Sequence, residues 1–311
     1  MSPDPVRSAV PSCSLCGEPA VIHQRCRNQY RCGTHLIADL EERVSATVMR
    51  QQQVVPGDCV AVALSGGKDS TALLLLLHRL LGSRHDIRLV AVTVDEGIAM
   101  YREETVRSAE DLVRKLKVEH ITVSFLDLFG DSLDTFLKGR KPQACTICGI
   151  LRKKALVSGA ERAGATKLAT GHNLDDEAQS VLMNVLRGDL PRLVRDSGAD
   201  SSGRFIPRIK PLMYVQEKEI ATYLLVQGIW SDLPECPYAI HALRREVRSM
   251  LSGIEYRHPG TMLRLLENKK IIETAFSGKA GGEAVGRCRV CGDPCSGETC
   301  QLCRLLHSLG R

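Results

Sequence analysis

The stretch Leu64–Ser70, LSGGKDS, decides the predicted fold because it directly follows the apolar run VAVA at residues 60–63. Two adjacent glycines let backbone N–H groups turn toward an anion, and a helix that begins near Ser70 would add its positive end. The loop is shorter than the G-x-x-x-x-G-K-S/T loop of common ATP-binding proteins. A strand, this loop and a helix in succession predict a phosphate-binding site. Its candidate residues are Ser65, Gly66, Gly67, Lys68, Asp69 and Ser70.

Outward from this loop, strand-like and helical patterns alternate along the sequence. Apolar, strand-like runs occupy residues 60–64, 87–94, 120–125 and 167–170, and helical patterns occupy 70–81, 101–116, 149–163 and 173–186. This alternation predicts a parallel sheet covered on both faces, and we expect a doubly wound α/β domain. Ligands of such sheets bind beyond the carboxyl ends of the strands. The segments VDEGIAMYR (94–102) and ATGHNLDDE (169–177) follow strand-like runs, so they should line the same cleft as LSGGKDS.

The overall composition limits the class of protein. With 311 residues, of which 43% are hydrophobic and 25% charged, the chain is typical of a soluble globular protein. It has no apolar run of the roughly 20 residues that span a bilayer and no apolar N-terminal segment typical of a secretory signal, so we expect a cytoplasmic protein. The patterns divide the chain into an N-terminal zinc module with a connecting helix (1–53), a catalytic domain (54–277) and a C-terminal zinc ribbon (278–311).

The last third of the sequence is mostly helical in its pattern. The clearest helices lie at 216–228 and 258–276, and residues 278–286 read as a glycine-rich linker. The net charge of +6 is concentrated after the phosphate loop, in basic runs at 152–154, 204–210 and 244–248. One such run is usually a solvated face, but several together favour a polyanionic partner such as nucleic acid.

Twelve of the thirteen cysteines fall in three groups, which in a reducing compartment indicates metal binding or catalysis. The N-terminal pairs CSLC (13–16) and CGTH (32–35) have tetrahedral zinc spacing, but His23 and Cys26 lie between them and leave the choice of ligands open. The C-terminal pairs predict a second zinc site, with Cys295 spare. Its ligands are Cys288, Cys291, Cys300 and Cys303. A second role for both modules, the binding of RNA, stays open.

The third group is different, because Cys145 and Cys148 are joined only by the distant Cys236. Three thiolates do not complete a structural zinc site. They suit a 4Fe-4S cluster with one iron left open. They also suit a persulfide mechanism, in which Cys145 carries the sulfur, Cys236 resolves it and Cys148 is accessory. Buried free thiols are the third interpretation.

Acidic residues follow the fourth strand-like run. Asp175 and Asp176 fit Mg²⁺ coordination, since carboxylate oxygens together with substrate phosphates form the usual Mg²⁺ site. Asp175 is the first choice of ligand. Gly171 and His172, which precede them, are counted with the nucleotide site.

Further residues are candidates for contacts to the substrates. Asp95 and Glu96 should lie near the nucleotide or the target base, because they follow the second strand-like run, and Gly97 permits close approach of the backbone. Lys153 or Lys154 would neutralise charge that develops on ATP or would contact RNA, unless both lie on a solvated helix face.

The LSGGKDS loop resembles the PP-loop of N-type ATP pyrophosphatases, which adenylate a substrate and release pyrophosphate. The remaining motifs are similar to those of tRNA 2-thiouridine synthetases of the TtuA and NcsA type, related to the eukaryotic cytosolic thiouridylase catalytic subunit. The similarity covers nearly the whole chain. It is carried by VDEGIAMYRE (94–103), CTICGILRKKAL (145–156), ATGHNLDDEAQSVLMNVLRGD (169–189) and PECPYA (234–239).

The resemblance implies an ATP-dependent tRNA sulfurtransferase that adenylates a uridine C2 oxygen and replaces it with sulfur, at the wobble position in preference to the T-loop. It implies Mg²⁺, two structural Zn²⁺ ions and a 4Fe-4S cluster on the three central cysteines, with Cys13, Cys16, Cys32 and His35 as the N-terminal zinc ligands. The sulfur donor would be sulfide, a desulfurase relay or a ubiquitin-like thiocarboxylate protein, and the assembly a homodimer. The residues assigned to catalysis are Cys145, Cys148, Cys236, Asp69 and Lys153.

Two alternatives stay open. One is another adenylating PP-loop enzyme that modifies a tRNA or a base, either through a persulfide or with a different acceptor, as in amidating or lysidine-forming relatives. The other is a non-catalytic, zinc-ribbon RNA-binding protein with a vestigial nucleotide loop.

Overall fold

The computed structural model describes residues 10–50, 53–194, 206–229, 236–238, 243–276, 286–295 and 297–310. The strands in chain order are β1 (Ile22–Gln24), β2 (Gln29–Arg31), β3 (Cys59–Ala63), β4 (Arg88–Asp95), β5 (Glu119–Ser124), β6 (Lys167–Ala169), β7 (Arg208–Ile209), β8 (Gly286–Arg287) and β9 (Pro294–Cys295). The helices are α1 (Gly33–Ser45), α2 (Lys68–Leu81), α3 (Arg102–Leu116), α4 (Phe125–Phe129), α5 (Leu133–Phe136), α6 (Ala144–Arg162), α7 (Leu174–Leu186), α8 (Leu190–Val194), α9 (Glu217–Val226), α10 (Leu243–Arg257), α11 (Thr261–Phe276) and α12 (Gln301–Ser308). A π-helical turn, Ala46–Arg50, continues α1, and a 3₁₀ turn, Lys141–Gln143, precedes α6.

The central sheet has five parallel strands in the order β5-β4-β3-β6-β7. In its register, Ala61 of β3 lies between Val90 of β4 and Leu168 of β6. The chain runs outward from β3 to β4 and β5, then returns to place β6 and β7 on the other side. The direction therefore reverses between β3 and β6, where a doubly wound fold binds its ligands. This arrangement confirms the predicted fold class.

Burial on both faces of the sheet explains the apolar composition of its strands. Val60 and Val62 of β3 pack in the largest core cluster, with the leucines of α2, whereas Ala61 faces the opposite side together with Ala160 of α6. Helix α1 also contributes side chains to the largest cluster, among them Leu40. The predicted connecting helix is thus packed on the central core. Within the described residues, no helix is long and apolar enough to cross a membrane.

Helix α6 differs from the sequence prediction in a way that affects the site. Sequence patterns placed its start near Gly149, after the central cysteine pair, but it begins at Ala144. Ile147 and Leu151 are buried in one cluster, and this packing holds the residues before Gly149 in the helix. The central cysteine pair therefore lies in the first two turns of α6.

The helical prediction for the last third is confirmed by α9, α10 and α11. The predicted linker 278–286 lies outside the described residues except for Gly286, which begins β8. The first two residues of the basic run 204–210 also lie outside them.

Candidate functional site

The loop between β3 and α2 has the geometry of an anion cradle. Gly66 has a φ of +86°, and a Cβ there would collide with the Thr105 carbonyl group, 2.9 Å from its carbon. The Ser70 hydroxyl accepts from the Ser65 amide at 3.1 Å and donates to the Gly67 carbonyl at 2.9 Å, which fixes the turn. Among the described side chains none caps the first turn of α2. Its N-terminal amides are therefore available for a phosphate.

The loop that follows β6 packs directly against this cradle. A Cβ at Gly171 would lie 3.1 Å from the Asp69 carbonyl carbon, so the two backbones need the glycine to approach this closely. The Asn173 side chain donates to Asp69 at 3.0 Å and also caps α7 through a reciprocal pair of hydrogen bonds with Asp176. One side chain thus ties the start of α7 to the phosphate loop.

Charged side chains from four helices, α2, α7, α9 and α10, surround the mouth of the cradle. The Lys68 ammonium group contacts Asp69 at 3.0 Å and Glu217 at 2.7 Å, and Arg248 contacts Glu217 at 2.6 Å. Burial alone would lower the pKa of Lys68, but its two carboxylate partners outweigh burial and raise it. Asp175 accepts from the Glu217 amide at 2.8 Å. Lys68 is thus held in the charged form beside the phosphate position.

The acidic pair of α7 is half-buried beside the cradle. Burial raises the pKa of Asp175 to about 6, and it also raises the pKa of Asp176, which lies 3.3 Å from Arg244. Burial lowers the pKa of His172, whose Nδ1 lies 2.9 Å from the Thr170 hydroxyl. A bound cation and phosphates would favour the ionised carboxylates.

The described carboxylates do not by themselves form a group of three or more ligands within 4.8 Å of one another. A Mg²⁺ site normally takes only one or two protein carboxylates and completes its shell with water and substrate phosphates. Asp69, Asp175 and Asp176 beside the cradle are suited to that arrangement.

The loop after β4 joins the cradle to the central cysteines. Glu96 is buried and forms ion pairs at 2.6 Å with both Arg102 and Arg152. Arg102 donates to the Ser65 carbonyl at 2.9 Å, and Arg152 donates to the Cys148 sulfur at 3.2 Å. A continuous chain of polar contacts therefore runs from the phosphate loop to a central cysteine.

Asp95 and Gly97 shape the same loop. Asp95 accepts from the Gly97 amide at 2.9 Å. Gly97 has a φ of +68°, and a Cβ there would lie 2.7 Å from the Ser132 Cβ. Asp95 thus holds the turn that directs Glu96 inward.

The three central cysteines converge at the N-terminus of α6. Cys236 and Tyr238 pack against the apolar cluster that contains Cys148, and the Cys145 sulfur lies 3.9 Å from the Tyr238 carbonyl oxygen. Burial raises the pKa of Cys148 to about 11. Ligand atoms that all lie within 4.8 Å of one another suit a single metal ion. Among the described residues, the three central cysteines do not form such a group.

This donor set fits a 4Fe-4S cluster. Three cysteine sulfurs come from two chain segments, and a four-iron cluster needs them farther apart than a single ion does. The positive end of α6 and the Arg152 guanidinium group would both stabilise thiolates there.

Arg102 and Arg152 were not singled out from the sequence as site residues, although Arg152 belongs to the basic run 152–154. The predicted Lys153 lies elsewhere on α6. Burial, Arg208 and Arg192 lower its pKa, and in the described ranges no acidic side chain pairs with it. Lys154 forms its ion pair with Asp293 and not with a residue of the cleft.

Both terminal cysteine groups have the geometry of metal sites. The ligand atoms of each group lie within 4.8 Å of one another: Cys13, Cys16, Cys32 and His35, and Cys288, Cys291, Cys300 and Cys303. His23, left open by the sequence, instead stacks on Tyr30 and lies 3.2 Å from the Asn28 side chain. Neither Cys26 nor Cys295 belongs to these groups.

Comparisons with known proteins agree with this geometry. A sequence profile of the PP-loop domain family, ATP_bind_3, matches residues 39–233. The chain is 35% identical to the tRNA 2-thiolation protein NcsA of Haloferax volcanii, covering 96% of this chain and 98% of that protein. It is 37% identical to the cytoplasmic tRNA 2-thiolation protein 1 of Mus musculus, covering 97% and 73%. It is similar to the structure of the U34-tRNA thiolase NcsA from Methanococcus maripaludis with its 4Fe-4S cluster, with a TM-score of 0.84, 29% identity and coverage of 96% and 97%.

Proposed function

The chain belongs to the PP-loop family of NcsA-type tRNA 2-thiolation proteins, and from this premise we propose that it is an ATP-dependent enzyme that thiolates tRNA. The finer proposal is a tRNA-uridine 2-sulfurtransferase. The C2 oxygen of a uridine attacks the α-phosphate of ATP and pyrophosphate leaves. Sulfide-level sulfur then attacks C2, and AMP leaves with the former C2 oxygen.

The observation that supports this reaction is the contact chain from the phosphate loop through Arg102, Glu96 and Arg152 to Cys148. Adenylation modifies the C2 oxygen and sulfur then attacks C2 itself, so the groups for both steps must border one cleft. A nucleotide-binding protein without sulfur chemistry has no need for three cysteines at this position. The contact chain therefore favours thiolation over the amidating and non-catalytic alternatives.

The residues of the cradle would bind and orient ATP. The amides at the start of α2 and the Lys68 ammonium group would hold the pyrophosphate that leaves, because they present positive charge where negative charge develops. Asp69 and Asp175, with Asp176 as the second choice, would hold Mg²⁺ against the phosphates. Asn173 would keep the Asp69 carboxylate in position through its hydrogen bond.

Cys145, Cys148 and Cys236 would hold the 4Fe-4S cluster through three thiolates, and the cluster when bound supplies an iron position open to sulfur. Arg152 would balance the charge of the Cys148 thiolate and of any anion brought beside it. The apolar cluster around Cys148 would exclude water from the sulfur.

The tRNA would approach across the basic surface that borders the cleft. Lys153, Arg192 and Arg208 lie close enough together for the two arginines to lower the pKa of the lysine, and this concentration of positive charge suits backbone phosphates. The target uridine would be flipped into the cleft so that its C2 edge is accessible. We propose the wobble uridine as the target, as in the U34-tRNA thiolase NcsA of Methanococcus maripaludis.

Several finer points are part of the same proposal. We propose structural Zn²⁺ in both terminal groups, a cytoplasmic location as in the names of the eukaryotic relatives, and a homodimer. The sulfur donor is sulfide, a desulfurase relay or a thiocarboxylate protein. The division into 1–53, 54–277 and 278–311 is retained as the proposed domain organisation.

The proposal is tested with anaerobically purified protein, ATP, Mg²⁺, sulfide and unmodified tRNA. We expect 2-thiouridine in the digested tRNA together with AMP and pyrophosphate. Single serine substitutions of Cys145, Cys148 and Cys236 should abolish thiolation, whereas Cys295→Ser serves as the matched control. Full thiolation by the three variants would refute sulfur transfer through this site.

A second measurement separates the cluster from the persulfide mechanism. Activity that rises in proportion to bound iron and disappears after chelation supports the cluster. Activity of iron-free protein supplied with a cysteine desulfurase and cysteine, which deliver sulfane sulfur, with a persulfide trapped on Cys145, would replace the cluster with the persulfide mechanism.

A further inference from the structure

Helix α12 connects the C-terminal zinc group to the helix that bears the central cysteines. Cys300 is the N-cap residue of α12, and its sulfur accepts from the Cys303 amide at 3.4 Å. The leucines of α12 recur at helical spacing and pack against the apolar cluster that contains Cys148 and Leu151 of α6. They are Leu302, Leu305 and Leu306, joined by the C-cap residue Leu309.

A polar contact joins the same two parts of the chain. The Lys154 ammonium group of α6 contacts both carboxylate oxygens of Asp293, at 2.9 and 2.7 Å. Asp293 follows Cys291 in the ribbon, and its carbonyl accepts from the Cys288 amide at 2.8 Å. Lys154 lies one turn beyond Leu151 on α6, so the ion pair and the leucine contacts fall along one side of the helix.

We propose that the C-terminal ribbon is a brace for α6: zinc bound at the ribbon holds the first turns of α6 in the position that Cys145 and Cys148 need to bind their metal group. The named positioning residues are Lys154, Asp293 and the leucines of α12. The brace rests on the proposed function only for the identity of the metal group, since the contacts between α12 and α6 are made by side chains of the chain itself.

The physical reason is that α12 cannot hold its position alone. An isolated helix shorter than about 12–15 residues is only marginally stable in water, and α12 has 8 residues with no fully buried side chain. The strands of the ribbon have two residues each. Small segments of this kind usually fold only when zinc is bound. Loss of zinc should therefore release α12 and uncover the side of α6 that it protects.

Binding at the two metal sites should then be coupled. If zinc increases the affinity of the three central cysteines for their metal group, then binding of that metal group must increase the affinity of the ribbon for zinc by the same factor.

The first experiment measures the thiol of Cys148 in zinc-loaded protein that carries no iron, so it does not depend on the cluster. Cys148 is only 8% exposed, and its alkylation by iodoacetamide is followed by peptide mass spectrometry. Cys59, buried in a different part of the core, is the internal reference. Removal of zinc from the ribbon by Cys300→Ser should accelerate alkylation of Cys148 about tenfold relative to Cys59. An unchanged ratio would overturn the brace.

Substitutions at the contact itself separate its polar and apolar parts. Lys154→Glu should accelerate alkylation of Cys148 about threefold to fivefold, as expected for a partly exposed ion pair, and the second change Asp293→Lys should restore most of the protection. Leu305→Ala should accelerate it about tenfold. The matched controls are Lys115→Glu on α3 and Arg304→Ala on the exposed face of α12.

The same variants are then loaded with iron and sulfide, and the release of iron to a chelator is followed by absorbance. Faster release from Lys154→Glu and Leu305→Ala than from the controls supports the brace. Equal release from all four proteins overturns it.

A failure of the proposed function would look different from a failure of the brace. Protein that protects Cys148 in a zinc-dependent manner but never forms 2-thiouridine retains the brace and rejects thiolation. Active protein in which zinc has no effect on Cys148 or on iron release rejects the brace alone.

Discussion

Replacement of Glu96 by glutamine should disconnect the phosphate loop from the central cysteines. The substitution keeps the size of the side chain and a carbonyl acceptor but removes the charge that holds Arg102 and Arg152. Arg102 would remain buried without a carboxylate, and Arg152 would be free to leave Cys148.

The burial of each partner determines the size of the effect. The side chains of Glu96 and Arg102 are 4% and 5% exposed, and removal of one member of such a buried pair costs about 3–5 kcal/mol. The side chain of Arg152 is 46% exposed, so its pair contributes only about 0.2–1 kcal/mol. Glu96→Gln should thus lower the free energy of unfolding by about 3–5 kcal/mol, and Arg152→Gln by about 1 kcal/mol or less.

Urea unfolding measures this difference, and isothermal calorimetry measures the affinity for ATP. Glu96→Gln should weaken ATP binding because Arg102 no longer holds the Ser65 carbonyl, whereas Arg152→Gln should leave it unchanged and reduce thiolation. Glu103→Gln, an exposed position on α3, is the matched control. If Glu96→Gln resembles Glu103→Gln within about 0.5 kcal/mol in stability and in ATP affinity, Glu96 does not connect the two parts of the site.

Three further perturbations test separate parts of the molecule. Gly66→Ala should abolish ATP binding in calorimetry, because a Cβ at a φ of +86° collides with the Thr105 carbonyl; normal binding would show that the cradle is not the nucleotide site. Lys153→Gln should reduce the slope of log affinity for tRNA against log salt by about one, and an unchanged slope would remove Lys153 from the RNA surface. Asp39→Asn should destabilise the protein by about 1 kcal/mol near neutral pH. Burial alone would raise the pKa of Asp39, but Arg43 outweighs burial and holds it below its usual value. The stabilisation by the Asp39 carboxylate is therefore present above the unfolded-state pKa of about 3.9 and is lost as the pH falls through the folded-state pKa. Equal urea unfolding curves for the two proteins near neutral pH would contradict it.

Local patterns determined the fold and the main parts of the site. The alternation of apolar strands and helices predicted the parallel sheet, and four strand predictions agree with β3, β4, β5 and β6 to within one residue. Loops that follow parallel strands must meet at one edge of the sheet, so the position of LSGGKDS beside ATGHNLDDE required no tertiary information. Close spacing within each cysteine pair likewise restricted the terminal metal groups to a few choices.

The tertiary structure decided which neighbouring residue makes each contact. Sequence could not distinguish Arg152, Lys153 and Lys154, yet the first contacts Glu96, the second lies beside Arg192 and Arg208, and the third contacts Asp293.

The physical reason is the distance along the chain. Arg152 and Glu96 are 56 residues apart, and Lys154 and Asp293 are 139 apart. Such pairs depend on the rotation of α6 about its own axis as it packs on the sheet. A helix turns by about 100° per residue, so consecutive side chains of α6 face different partners. That rotation is set by burial of Ile147 and Leu151 in the core, a property of the assembled protein and not of the local sequence.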